Sequence, residues 1–140
     1  MKVVLDTNVV MSGIFFGGPP GVILEAWREA RFVLVLSLDV FREYQRVSEV
    51  LGQKYSGVDA SPLLSLLAAH SEWVTVLSPT APISSDPDDD KFLLTARSAR
   101  AGIVVSGDTD LLDMSEWGGI QILTPRRFVD EVLHARGSDT

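Results

Sequence analysis

A chain of 140 residues, 46% hydrophobic and 22% charged, is enough to bury the core of one compact domain spanning residues 1–140. It contains no Cys, which excludes disulfides and thiolate metal sites and leaves oxygen or His as the ligands for any metal. A net charge of −7 opposes a polyanionic partner, unless the acids gather where bound cations invert the local field.

The first predicted element is a strand over residues 2–5. It leads to a Gly/Pro-rich loop over 17–21 and an amphipathic helix over 22–30. The apolar run 32–36 predicts a second strand, after which Ser37 caps a helix running to about Leu51. A Gly- and Ser-containing loop separates this from a helix over 61–70, opened by Ser61-Pro62, and a third strand over 73–77. Residues 78–88 are polar and Pro-rich, hence loop. A helix over 89–101 follows, ending at Gly102 with Arg97 and Arg100 suited to its carboxyl-terminal dipole. Strands over 103–106 and 120–123 and a last helix opened by Thr124-Pro125 and ending near Gly137 complete the chain. The βα alternation predicts an α/β fold with a mostly parallel five-stranded sheet. No apolar run approaches the ~20 residues of a membrane span, so a soluble, cytoplasmic protein without membrane association is expected.

Three acidic motifs stand beside the apolar runs: Leu5-Asp6-Thr7-Asn8, Asp86-Pro87-Asp88-Asp89-Asp90 and Gly107-Asp108-Thr109-Asp110. The first and last follow predicted parallel strands, so their carboxylates emerge at carboxyl ends, where open α/β sheets place their ligands. Strands 2–5 and 103–106 are therefore expected side by side, with Asp6 and Asp108 close enough to share ions. Helical geometry sorts the intermediate acids. On the helix that begins after Ser37, Glu43 falls about 60° from the stripe of Val40, Tyr44, Val47 and Leu51, whereas Glu49 lies on the far side. On the helix after residue 88, Asp89 falls about 60° from the stripe of Phe92, Ala96 and Ala99, and Asp90 points roughly 160° away. Asp86 and Asp88 lie at or before that helix start, where a carboxylate also caps free N–H groups, so their roles stay open.

Carboxylates at a core edge repel one another and lose hydration, and a hard divalent cation relieves both penalties. Eight of the 19 acids lie in or near this site: Asp6, Glu43, Asp86, Asp88, Asp89, Asp90, Asp108 and Asp110. Two bound Mg²⁺ would bring the charge from −7 to −3. The pattern predicts Mg²⁺ or Mn²⁺ as cofactor, held by Asp6, Glu43, Asp89 and Asp108. His70 and His134 show no ligand-like spacing. Trp27, Trp73 and Trp117 read as packing or interface residues, Asp110 as a cap of a short helix or a helper at the site, and Arg42 and Arg46, one turn apart, as solvated surface or contacts to a phosphate backbone.

The four groups Leu5-Asp6-Thr7-Asn8, Glu43, Asp86 to Leu93 and Ser106 to Leu111, in this order over nearly the whole chain, resemble the PIN-domain family, closest to its prokaryotic VapC-like toxin branch. The resemblance implies a three-layer α/β/α sandwich and a Mg²⁺- or Mn²⁺-dependent ribonuclease. It matches Asp6, Glu43, Asp89 and Asp108 to the family's catalytic acids, with Asp110 assisting as a metal ligand. Asn8 and Ser106 fall where polar residues orient a ligand or water. Ser106 stands where Thr is commoner, and Leu111 where many members have Phe. The family also implies an RNA substrate, a small protein antitoxin and a homodimer. In a two-metal scheme the ions lower the pKa of water for in-line attack and stabilise the departing oxygen.

Two rivals belong to other classes. A phosphoryl-transfer domain would need a second Asp beside Asp6 and a Lys after a late strand, or a Gly-rich Lys-Ser/Thr loop, and the sequence has none of them. A non-catalytic PIN-like module binding RNA or protein would keep the fold with inert acids.

Overall fold

The computed structural model of the protein describes residues 1–77 and 82–134. Its sheet has six strands in the order β3-β2-β1-β4-β6-β5. They are β1 (Lys2–Leu5), β2 (Val33–Leu36), β3 (Glu72–Trp73), β4 (Ile103–Val105), β5 (Glu116–Trp117) and β6 (Ile120–Leu123). Every pairing is parallel except β5 with β6. The order reverses between β1 and β4, which pair in register Leu5↔Val105, and this puts the crevice of a doubly wound sheet at the ends of those two strands. The central strands are apolar runs because helices cover both of their faces, and Val3, Val4, Leu5, Val104 and Val105 are fully buried.

The helices are α1 (Thr7–Phe15), α2 (Gly18–Arg28), α3 (Leu38–Lys54), α4 (Ser61–His70), α5 (Asp90–Ala99), α6 (Thr109–Leu112) and α7 (Pro125–Arg127), the last running on as a π-helix over Phe128–Leu133. They form the outer layers of a three-layer α/β/α sandwich. Helix α5 packs across β1, β2, β4 and β6, and α2 packs against α7 and the π-helix. Phe92 and Leu93 of α5 and Phe128 of the π-helix are almost completely buried. No single helix among the described residues is long and apolar enough to cross a membrane.

Five expectations are corrected. The sheet has a sixth strand, β5, hidden in sequence because it is two residues long and closes on β6 through Gly118-Gly119, whose φ values of 57° and 84° make the tight turn possible. Residues 7–15, left unassigned, form α1. Helix α2 starts at Gly18 rather than residue 22, since Pro19 and Pro20 fit a first turn, where N–H groups need no intrahelical partner. Its close contact with α1 depends on Gly13, where a Cβ would come within 2.5 Å of Leu24. Strand β3 covers only Glu72–Trp73 instead of 73–77. Helix α5 stops before Arg100, which takes a left-handed φ of 56°, two residues earlier than the Gly102 stop expected. The expected loop residues 78–81, and the predicted helix end near Gly137, lie outside the described residues.

Candidate metal centre

Asp6 and Asp108 each follow a strand and cap a helix. Asp6 ends β1 and caps α1, its Oδ1 accepting from the Asn8 N–H at 3.3 Å; Asp108 follows β4 and caps α6, its Oδ1 accepting from the Asp110 N–H at 2.8 Å. Ser106, fully buried between them, donates from Oγ to Asp6 Oδ2 at 2.6 Å and accepts from the Asp108 N–H at 2.9 Å. One hydroxyl thus fixes both strand-end acids. Asn8 is exposed and reaches Asp6 through its backbone N–H.

The middle motif is wound more tightly than an α-helix. A 3₁₀ turn over Pro87–Asp89 precedes α5, with Asp86 as its cap accepting from the Asp88 N–H at 3.0 Å. Asp89 is only 7% exposed, and its Oδ2 is buried without a hydrogen-bond partner among the described residues. Burial, the neighbouring carboxylates of Asp108, Asp6 and Asp86, and a hydrogen bond with Asp108 push its pKa up to about 7. Burial also raises Asp6, against hydrogen bonds from Ser106 and Asn8 that lower it; the charges of Glu43 and Asp108 add to the rise.

Oxygens of Asp86, Asp89 and Asp110 lie within 4.8 Å of one another, the grouping of at least three potential ligands found among the described residues. An all-carboxylate set that includes a buried, unpartnered oxygen fits a hard divalent cation. The best-converged ligand set is thus Asp89 with Asp86 and Asp110, whose roles sequence left open; Asp6 and Asp108 adjoin it. Asp88 is exposed and faces a different cleft.

Glu43 also reaches the crevice, but its carboxylate is already engaged. Thr7 Oγ1 donates to Oε2, Lys91 Nζ lies 3.0 Å from Oε1, and Arg46 approaches the same oxygen at 3.6 Å. Its helix is pinned to the end of β1 by the buried Tyr44, whose hydroxyl donates to the Leu5 carbonyl at 2.5 Å. Burial first, then the charges of Asp6 and Glu43, hold that phenol well above its ordinary pKa, so it remains a donor. Glu43, Lys91, Arg42, Arg46, Asp39, Pro87 and Asp88 line a cleft of about 390 Å³. Sequence reasoning gave Lys91 no role, and nothing local reveals that it meets an acid 48 positions away.

Asp90 overturns its expected outward direction. It is 6% exposed: Oδ1 accepts from the Ser84 N–H at 2.8 Å and Oγ at 2.6 Å, and Oδ2 accepts from the Ile83 N–H at 3.1 Å. Burial raises its pKa, but these hydrogen bonds outweigh burial and leave it below the usual Asp value.

A family model described as PIN domain matches residues 2–110, from the start of β1 to Asp110. The chain belongs to the PIN-domain family. PIN domains are generally nucleases and usually use a divalent metal, in accord with the acidic group of this PIN domain. No curated protein matches the sequence.

Proposed function

We propose that this PIN domain is a Mg²⁺- or Mn²⁺-dependent endoribonuclease acting in the cytoplasm as the toxin of a toxin–antitoxin pair. The buried Oδ2 of Asp89, without a hydrogen-bond partner among the described residues, carries the reading, because such an oxygen beside Asp86 and Asp110 is costly until a cation joins it. Asp86, Asp89 and Asp110 would hold the ion, with Asp6 and Asp108 adjoining. When bound, such an ion polarises a phosphodiester and lowers the pKa of water.

The chain's own residues do the rest. Ser106 holds Asp6 Oδ2 and the Asp108 backbone in fixed orientation, and with Thr7 it closes the back of the crevice to water. Glu43 keeps Lys91 and Arg46 at the neighbouring cleft, where their charge favours the backbone of an RNA substrate. A small protein antitoxin and a second copy of the chain are the protein partners in this reading; the exposed Phe16 and Val50 give apolar surface for protein contact.

The test is cleavage of structured and unstructured RNAs with Mg²⁺, Mn²⁺ or EDTA. We expect metal-dependent cleavage that falls on the order of a thousandfold in Asp89→Asn with an unchanged near-UV spectrum. Undiminished cleavage in EDTA overturns the proposal. Growth arrest on induction of wild type, but not of Asp89→Asn, checks the toxin role.

A further inference from the structure

Asp90 is a buried acid that the proposed chemistry does not use. Both of its oxygens are engaged by the segment just before the 3₁₀ turn, accepting from Ile83 and Ser84. Ser84 then passes the connection on: its single hydroxyl proton is shared between Asp90 Oδ1 and the carbonyl of Asp86, each 2.6 Å from Oγ. The Asp89 N–H returns to that same Asp86 carbonyl at 3.0 Å. Residues 83, 84, 86, 89 and 90 therefore close one hydrogen-bonded ring around the start of α5. Two ring members, Asp86 and Asp89, belong to the acidic group. Between them and the third, Ser85 Oγ reaches Asp110 Oδ1 at 3.4 Å.

A segment carrying a repelled carboxylate has reason to swing outward, since like charges held close cost energy. The ring opposes that motion. Two backbone N–H groups on a buried carboxylate are charge-assisted bonds, about twice as strong as neutral ones, and the hydroxyl shared with the Asp86 carbonyl ties that residue to them. Resting on the metal-binding reading above, we infer that Asp90 is a positioning residue: through Ser84 it holds Asp86 in place beside Asp89 and Asp110 and so sets the affinity of the site for its divalent ion.

Mn²⁺ binding to the full chain, measured by calorimetry and by the Mn²⁺ electron paramagnetic resonance signal, tests this without any turnover. Asp90→Asn keeps the shape but replaces one acceptor oxygen with a donor. It should weaken Mn²⁺ binding about tenfold, within the range seen when groups supporting metal ligands are lost. In an Asp86→Asn background the same change should weaken binding by less than about twofold, because Asp90 would have no ligand left to position. Ser84→Ala, which removes the bridging hydroxyl and leaves both N–H bonds, should weaken binding about threefold and serves if Asp90→Asn does not fold.

A merely structural Asp90 would lower Tm and leave the Mn²⁺ affinity of the folded protein unmoved, and that result overturns the inference. An equal loss in wild-type and Asp86→Asn backgrounds overturns it as well. Failure of the wild type to bind Mn²⁺ at all instead overturns the metal-binding reading, and the positioning role falls with it.

Discussion

The two walls of the acidic crevice hold carboxylates in opposite electrostatic states. On the α3 wall, Glu43 has a hydroxyl, a lysine and an arginine around it. On the wall built by residues 86–89, Asp89 has an oxygen with no partner among the described residues and three acids for neighbours. The adjacent Asp90 shows that the difference is not a matter of depth, since it is as buried as Asp89 and fully supplied with donors. Folding alone would favour donors everywhere. One carboxylate left uncompensated beside two others that are satisfied marks where an external cation would relieve the cost.

The largest test of this contrast is neutralisation of one acid on each wall. Asp89→Asn should abolish metal-dependent cleavage yet raise the Tm of the metal-free protein, since it removes a repelled charge from a buried position. Glu43→Gln should do the reverse to stability, lowering Tm by a few degrees because Lys91 and Arg46 lose their counter-charge, on the order of 1 kcal/mol after solvent screening. Thermal melts in EDTA distinguish the two, and equal shifts of the same sign would erase the distinction between the walls.

Titration gives the next largest effect. Asp89 has a pKa of about 7 when folded, against 3.8 as its ordinary value, so between these pH values the native state binds more protons than the unfolded chain. Stability of the metal-free protein should therefore fall as pH rises from about 4 to about 7, and be level with respect to this group above that range. Saturating Mn²⁺ should offset the loss, and Asp89→Asn should flatten it. Melting curves at stepped pH, with and without EDTA, measure the slope; a slope that survives Asp89→Asn unchanged would assign it to another group.

Much of this wall-by-wall design was legible in the sequence, and the rest fails for physical reasons. Strand ends follow from apolar runs that must be covered on both faces, and the neighbouring placement of β1 and β4 from letting Asp6 and Asp108 share ions. Helical angle placed Glu43 toward the sheet and Asp89 inward. The same rule misdirected Asp90, because the turn before it is 3₁₀ and the 83–86 segment folds over the helix start, giving an apparently outward acid a lid of N–H groups. Helix α1 was missed because Val9, Val10 and Met11 are all buried, so no polar stripe betrays a helical period. Its cap is Asp6, a residue that reads as a site acid and conceals the start signal. The Glu43–Lys91 pair spans 48 positions and exists only in the assembled structure.

A smaller effect is expected from the contact that sets the walls' spacing. Tyr44→Phe leaves the buried Leu5 carbonyl without its hydroxyl donor, and should cost on the order of 1–2 kcal/mol by denaturant unfolding. Because Leu5 adjoins Asp6 and Tyr44 adjoins Glu43, the same change should weaken Mn²⁺ binding only about twofold, since neither residue lies in the Asp86–Asp89–Asp110 group.

The smallest change concerns the compensated wall alone. In Lys91→Met the aliphatic part of the side chain is kept and the charge 3.0 Å from Glu43 is lost, leaving Arg46, 69% exposed and 3.6 Å away, as the nearer cation on that oxygen. The cleft beside the metal centre then becomes more acidic by one charge, which disfavours an RNA phosphate there while the acids opposite stay as they were. KM for RNA should rise about fivefold at low salt and the difference should shrink at ~1 M salt, where the Debye length is only about 3 Å. Mn²⁺ affinity should move by less than about twofold, because added negative charge in this cleft, if anything, favours a cation. A large loss of metal binding in Lys91→Met would instead join the two walls into one electrostatic unit, with Glu43 acting on the ion through the lysine it holds.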